Sequence, residues 1–319
     1  MVSTLSVAAI QLICKPLCVD ENLSRAKTLV SKAAEQGTKL VLLPELSPSG
    51  YLTTEEIWNA AETSDGKSTQ WLKATANEFN IYLGLSFIEA DGDDFYNSFL
   101  LCKPDGEIAG RVRKSPPAAY EAFFFKAGTD PHVINTEIGR IGVGICYENL
   151  LFARINDLYH ASVDLLLQPM AAGSPEAKFP ISKKDVVNFN QMVKNIPPFI
   201  SRALGVPVVM ANQCGPLVTG APKGFPAQNS SFPGYSAIID SDGRCINQLG
   251  SEEGLVLGEI RLDPSRRAKQ PPRAYGQWSC PVPWFSFFFK ISQKVGERHY
   301  RKSHNRVARA RELGKRFAK

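Results

Sequence analysis

Three residues whose side chains could together perform acyl transfer each follow a short apolar run. Glu45 follows "LVLLP", Lys114 follows "EIAGRVR" and Cys146 follows "IGVGI". A cysteine thiol titrates near pH ~8.5, so it needs a base at neutral pH, and Glu45 could accept its proton and pass it to a leaving amine. Lys114 could stabilise an oxyanion, together with the backbone N–H of Tyr147. These residue types predict catalysis through a thioester.

The runs before these residues predict buried strands of an α/β protein. A strand over Val7–Ile13 precedes a helical pattern over Asp20–Gln36, and the apolar run before Glu45 follows it. Strand and helix patterns alternate again after Gly139, which favours one α/β domain with parallel strands. The last helix of this domain is predicted over 185–204, and we expect two consecutive prolines to interrupt it.

Two stretches rich in Pro, Gly, Ser and Ala are the predicted walls of a binding pocket. They span 170–183 and 214–233, and both follow strand ends, where α/β proteins commonly bind ligands. The residues that we predict to contact substrate are Tyr51, Tyr120, Glu148 and Gln168.

Cysteine usage and hydropathy limit the class of protein. The seven cysteines form no CxxC pair and no regular disulfide framework. Cys14 and Cys18 have no histidine nearby, so we expect no metal site. No apolar run approaches the ~18 residues of a membrane span, and the start of the chain predicts a strand rather than a signal peptide. We therefore expect a cytoplasmic protein.

The positive charge is concentrated at the C-terminus. The net charge is +6, yet residues 290–319 hold eleven Lys and Arg against two Glu, so the remainder is net negative. We expect a hydrolase-type domain over 1–280 and an aromatic, then basic tail over 281–319 that packs on a neighbouring subunit. Binding of an anionic partner by this tail is an alternative, although the absence of a nucleic-acid-reading motif makes nucleic acid an unlikely partner.

The four histidines leave a second kind of catalytic site open. His132 follows a proline in a predicted turn, and none of the four follows a strand as Glu45, Lys114 and Cys146 do. A papain-like pair of Cys146 with a histidine stays an alternative at this point.

The order of several motifs resembles the nitrilase superfamily of carbon-nitrogen hydrolases over nearly the whole of residues 5–262. "VAAIQL" resembles the family's first strand, "LVLLPELSPSGY" the segment of its catalytic glutamate, and "FYNSFLLCKPDGEIAGRVRK" the hairpin leading to its lysine. "IGRIGVGICYEN" resembles its nucleophile elbow, and "SRALGVPVVMANQCG" and "FPGYSAIIDSDGR" resemble later segments.

The resemblance implies a four-layer α-β-β-α sandwich that forms a homodimer or a larger homo-oligomer and uses no cofactor. It implies Glu45, Lys114 and Cys146 as catalytic residues and Glu121 as a supporting glutamate, although "KSPPAAYE" differs from the family's usual spacing there. The implied substrate is a small amide, whose C–N bond is cleaved with release of ammonia or an amine. A nitrile that is converted to an acid is the alternative, and a hydrolase-like scaffold with a binding tail is an alternative of another class.

Overall fold

Two six-stranded sheets form the centre of the molecule. The computed structural model describes residues 2–317 of the 319-residue chain, with side chains described through residue 314. The first sheet contains, in spatial order, β14 (Gly254–Leu262), β1 (Ser3–Gln11), β2 (Leu40–Leu42), β3 (Tyr82–Asp91), β4 (Asp94–Cys102) and β5 (Ile108–Arg113). The second contains β13 (Cys245–Gln248), β12 (Ala237–Ile239), β9 (Val208–Asn212), β8 (Leu165–Met170), β7 (Gly139–Val143) and β6 (Val133–Thr136).

Both sheets follow the same plan. Strands β1, β2 and β3 pair in parallel, and β14, β4 and β5 add antiparallel neighbours at the two edges. In the second sheet β7, β8 and β9 are parallel, and β6, β12 and β13 are the antiparallel additions. The predicted alternation of strands and helices in both halves of the chain is confirmed.

Helices cover the outer face of each sheet. α1 (Val19–Glu35) and α2 (Lys67–Phe79) pack on the first sheet, and α3 (Phe152–His160) and α4 (Lys183–Leu204) on the second. Side chains on β1 alternate, so that Val7 belongs to the core shared by the sheets and Ala8 to the core under α1 and α2. The four-layer α-β-β-α sandwich is therefore confirmed.

Two details of the second half differ from the sequence prediction. α4 runs unbroken through Pro197 and Pro198, although an interior proline costs ~3 kcal/mol, because its apolar face is buried on β9 and β12. Residues 214–233 are not a loop but a hairpin of β10 (Cys214–Thr219) and β11 (Gln228–Pro233). Its alternating exposed residues gave too weak an apolar signal to predict strands.

The C-terminal segment forms two helices that pack on their own chain. α5 (Phe287–Lys302) lies on the 3-10 helix Ala119–Phe123, and α6 (His304–Phe317) lies on β3 and β4. Arg311 Nε donates to Asp93 Oδ1 at 3.0 Å, and Arg306 pairs with Asp94. The boundary at residue 281 and packing on a neighbouring subunit stay predictions, and residues 318–319 of the predicted tail lie outside the described residues.

The described part of the chain contains neither a membrane-spanning helix nor a cluster of metal-binding side chains. Among the helices within residues 2–317, none combines the length and apolar character needed to cross a membrane. In the same range, no group of three or more His, Cys, Asp and Glu side chains is placed to hold a metal ion.

Candidate active site

The two sheets bring together the chain segments that follow β2, β5 and β7. Glu45, Lys114 and Cys146 lie on these three segments, and each is at most 9% exposed. Lys114 Nζ donates a hydrogen bond of 2.6 Å to Glu45 Oε1. The charges of both residues act on the Cys146 thiol. The structure therefore brings the three predicted catalytic residues into one buried cluster.

Glu121 is the fourth ionisable member of this cluster. The 3-10 helix Ala119–Phe123 turns its carboxylate back toward Lys114, whose Nζ lies 2.9 and 2.8 Å from the two oxygens. The hydroxyl of Tyr51 also donates to Glu121, at 3.1 Å. Lys114 therefore bridges two carboxylates, and its ammonium stays in one place between them.

Neutral donors hold the Glu45 carboxylate in one orientation. Asn97 Nδ2 donates to Oε1 at 2.7 Å, and the Ala171 N–H donates to Oε2 at 2.8 Å. Sequence reasoning missed both residues. A polar residue within the apolar run "FYNSFLL" was a signal for Asn97, whereas nothing in the sequence indicates a role for the Ala171 backbone.

Cys146 begins a tight turn at the end of its strand. Its φ is +49°, a left-handed conformation that costs a non-glycine residue of order 1 kcal/mol. The Asn149 side chain donates to the carbonyls of Gly144 and Cys146, at 2.7 and 3.0 Å, and thereby braces the turn. Tyr147 is the second residue of the 3-10 helix Cys146–Leu150, so its N–H has no acceptor within that helix and can face an oxyanion.

Glu148 joins the backbone near the nucleophile to the backbone near the lysine. Its carboxylate is fully buried and accepts hydrogen bonds from the Ser115 N–H at 2.7 Å and the Ile145 N–H at 2.8 Å. His132 Nε2 lies 2.6 Å from the same carboxylate. The structure thus places Glu148, predicted to contact substrate, in the framework of the site.

The other predicted contact residues divide between the cavity and its surroundings. Tyr51 lines the cavity beside Cys146. Gln168 is fully buried, and its Nε2 donates to Asn149 Oδ1 at 2.9 Å, away from the cavity. The Tyr120 ring packs edge-on against Phe225 at 5.1 Å. Tyr51 is therefore the one of these predicted residues that the structure brings to the cavity.

No described histidine lines the cavity, which leaves the Cys-His alternative without support. His132 lies against Glu148, His160 ends α3, and His299 packs on the ring of Phe123 at 5.3 Å. The groups that act electrostatically on the thiol and could serve as its base are the carboxylates of Glu45 and Glu121.

Burial and the neighbouring charges shift the pKa of three groups in the cluster, Cys146, Lys114 and Glu121. Desolvation, reinforced by Glu45, raises the pKa of the Cys146 thiol well above its usual value. Burial would lower the pKa of Lys114, but the carboxylates of Glu121 and Glu45 raise it above its usual value. Burial also raises the pKa of Glu121. The resting site therefore holds a neutral thiol beside a permanent ammonium, and attack by sulfur must be coupled to proton transfer.

A cavity of about 120 Å³ opens beside the thiol. Both predicted walls contribute to it, since residues 170–173 and Leu217 and Gln228 of the β10–β11 hairpin line it. Two further walls were missed by sequence reasoning. They come from α4 and α5 and include Phe189, Met192, Val193, Ile196 and Phe289.

The sequence of the chain is similar to those of known enzymes. The family model described as carbon-nitrogen hydrolase matches residues 6–270. An omega-amidase of Danio rerio is 30% identical over 278 residues, which are 82% of this chain and 89% of that protein. A bromoxynil-specific nitrilase of Klebsiella pneumoniae subsp. ozaenae is 29% identical over 88% of this chain and 84% of its own length.

The fold of the chain is also similar to that of a protein of known structure. The crystal structure of a carbon-nitrogen hydrolase from Helicobacter pylori G27 superimposes with a TM-score of 0.74 and 20% identity, over 95% of this chain and 96% of that one. Residues 6–270, which the family model matches, include the segments that carry Glu45, Lys114 and Cys146.

Proposed function

The chain belongs to the carbon-nitrogen hydrolase family, and on this premise we propose that it hydrolyses a small amide through a thioester on Cys146, releasing ammonia or an amine. The observation that carries the proposal is the buried ion pair of Lys114 with Glu45 and Glu121 beside the thiol. A site that binds amides without reacting with them has no use for a buried base, ammonium and thiol in contact.

The first half of the reaction forms the acyl-enzyme. Glu45 accepts the thiol proton while Sγ bonds to the amide carbon, and the carbonyl electron pair moves onto oxygen. Lys114 Nζ and the Tyr147 N–H stabilise this oxyanion. When the intermediate collapses, the C–N bond breaks, Glu45 returns its proton to the leaving nitrogen, and a thioester remains on Cys146.

The second half returns the enzyme to its starting state. Glu45 accepts a proton from water, whose oxygen bonds to the thioester carbon. The C–S bond then breaks, the carboxylic acid leaves, and the sulfur regains the proton. Glu121 and Tyr51 do not transfer protons in this scheme; they hold the ammonium of Lys114 in position.

A nitrile is the alternative substrate, because the same thiol could add to a nitrile carbon and form a thioimidate. The similarity to a bromoxynil-specific nitrilase supports this alternative. Two arginines of α6, Arg306 and Arg311, do not favour the alternative of a scaffold with a binding tail, since they are paired with Asp94 and Asp93.

The proposal is tested by following two products at once. With an amide substrate and added hydroxylamine, we expect ammonia release together with a hydroxamate, because hydroxylamine intercepts a thioester. A panel of matched amides and nitriles assigns the substrate class by the faster ammonia release. Ammonia release from amides without any hydroxamate, at hydroxylamine concentrations that trap a synthetic thioester, would argue against the acyl-enzyme.

We also propose that the protein forms a homo-oligomer through the outer face of α5. The exposed residues of this face are 43–52% exposed and comprise Phe287, Phe288, Ile291 and Val295 of α5, at helical spacing, and Trp284 of the 3-10 turn directly before it. A continuous apolar stripe of this kind usually contacts another protein. The partner that is present in every solution of this protein is a second copy of the chain. Light scattering should give a molar mass of at least two chains; the mass of a single chain at tens of micromolar would refute this proposal.

A reducing compartment such as the cytoplasm fits the cysteines. All seven are free, and five of them are buried. We propose that compartment on this ground.

A further inference from the structure

The C-terminal helix α5 supplies one wall of the cavity next to the nucleophile. Phe289 lines the cavity, and its ring meets the ring of Tyr147 edge-on at 5.9 Å. Tyr147 in turn packs edge-on against Trp278 at 6.1 Å. The segment that precedes α5 and α5 itself thus enclose the residue directly after Cys146.

Close packing fixes the position of α5. A Cβ atom on Gly296 would lie 2.8 Å from the backbone carbon of Ala122, so only glycine permits this approach of α5 to the 3-10 helix that carries Glu121. The Tyr300 hydroxyl accepts a hydrogen bond of 2.8 Å from the Phe95 N–H. These two contacts anchor α5, the helix that carries Phe289, on the body of the protein.

Apart from one carboxylate, the remaining walls are uncharged. The apolar side chains of the lining include Leu150, Phe189, Met192, Ile196 and Leu217. The carboxylate is that of Glu121, the one charged residue of the described lining, and it is already bound by Lys114 and Tyr51. The Tyr147 hydroxyl and Gln228 Oε1 are buried without a partner among the described residues, and both are neutral.

We propose that this cavity is an acyl pocket for a small uncharged hydrocarbon group, and that Phe289 sets the length of the acyl group that it accepts. A carboxylate or an ammonium on the acyl group would be desolvated with no opposite charge to meet it, which is costly. The size follows from the volume: an apolar cavity of about 150 Å³ holds one benzene molecule, and this one measures about 120 Å³. The acyl group therefore has roughly six carbon atoms or fewer.

This inference rests on the proposed amide hydrolysis, and its test separates the two. Turnover of two pairs of similarly shaped amides is compared: 4-methylpentanamide with succinamate, and pentanamide with 4-aminobutanamide. Binding of the same amides to Cys146→Ala is followed by saturation-transfer NMR, which does not depend on catalysis. We expect kcat/KM at least about 100-fold higher for each hydrocarbon amide than for its charged partner, and the same preference in binding.

Phe289→Ala tests the role of the helix. We expect it to raise kcat/KM for 3-phenylpropanamide relative to 4-methylpentanamide by about 10-fold, mainly through KM, because loss of the Phe289 ring lengthens the cavity. Phe289→Leu should change this ratio less. The matched control is Phe179→Ala, which truncates a 96% exposed ring outside both the cavity lining and the outer stripe of α5 and should leave the ratio within about twofold.

Each outcome decides between the two proposals. Hydrocarbon-selective binding without turnover of any amide or nitrile would uphold the acyl pocket and overturn the hydrolase proposal. Turnover or binding of succinamate or 4-aminobutanamide as good as that of its hydrocarbon partner would overturn the uncharged pocket. A ratio that is unchanged in folded Phe289→Ala and Phe289→Leu would overturn the role of Phe289.

Discussion

Replacement of Cys146 by alanine is expected to reduce ammonia release from the best amide at least about 10⁴-fold, with little change in folding. The loss is large because the thioester path needs the sulfur, and the remaining groups of the site only polarise the substrate. Initial rates and urea unfolding of the purified variant provide the measurement. The matched control is Cys102→Ala, which removes another fully buried thiol at the end of β4 and should keep near-wild-type activity.

Alkylation provides a second, independent measure of the same thiol. Because burial raises its pKa, Cys146 should react slowly with iodoacetamide at pH 7, and its rate should keep rising through pH 9 as the thiolate fraction grows. Peptide mass spectrometry distinguishes it from the exposed Cys18 and Cys245. Full activity in Cys146→Ala would contradict its role as the nucleophile, and a rate of Cys146 alkylation that is flat between pH 6 and 9 would contradict the raised pKa of its thiol.

The sequence was sufficient to predict the position of each proposed catalytic residue at the end of an apolar run. Such runs become buried strands because removing their apolar side chains from water is favourable, and parallel strands of a sheet end at a common edge. Thus Glu45 and Cys146 could be predicted as partners although they belong to different sheets. The residues that orient them are harder to find, because a backbone N–H such as that of Ala171 leaves no trace in residue type.

The walls of the cavity were predicted only in part, and the reason is again physical. Met170 ends β8 and residues 171–173 follow it directly, so their place was fixed by the strand. Phe289 reaches the site only because α5 folds back over the 3-10 helix Ala119–Phe123. The sequence shows an aromatic cluster there and does not show whether it covers its own chain or a second one. The structure shows both an inward-facing side of α5 and an exposed stripe.

Glu148 illustrates how a motif can suggest the wrong place for a residue. A carboxylate two positions after a nucleophile looks available to substrate, yet the 3-10 helix Cys146–Leu150 turns it inward. There it accepts hydrogen bonds from the backbone N–H groups of Ser115 and Ile145, which would otherwise be buried without partners. Its position is set by hydrogen-bond satisfaction, which residue spacing alone does not reveal.

Replacement of Lys114 by methionine is expected to give the largest loss of stability, about 3–5 kcal/mol at pH 7.5, together with a loss of about 10²–10³-fold in kcat from the missing oxyanion partner. Methionine keeps most of the side-chain volume but leaves two carboxylates buried without their cation. The folded-state pKa of Lys114 is raised, so its contribution to wild-type stability is complete below its ordinary pKa of ~10.4. That contribution is lost only as pH rises through the raised value.

The dependence on pH distinguishes this electrostatic effect from a packing defect. In the variant the pKa of Glu121, already raised by burial, loses the opposing influence of the ammonium and rises further. A group with a raised folded-state pKa binds more protons when folded, so stability falls as pH rises from ~4.3 through the folded value. The deficit of Lys114→Met in urea unfolding should therefore be largest near pH 7.5 and shrink toward pH 5.

The matched control for this experiment is Lys126→Met. Lys126 Nζ also pairs with a carboxylate, Asp94, at 2.8 Å, but its side chain is 52% exposed, and such surface pairs contribute ~1 kcal/mol or less. We expect a small deficit that varies little between pH 5 and 7.5. A deficit of Lys114→Met that is equally large at both pH values would assign the loss to packing, and a deficit no larger than that of Lys126→Met would show that the buried ion pairs of Lys114 do not stabilise the site.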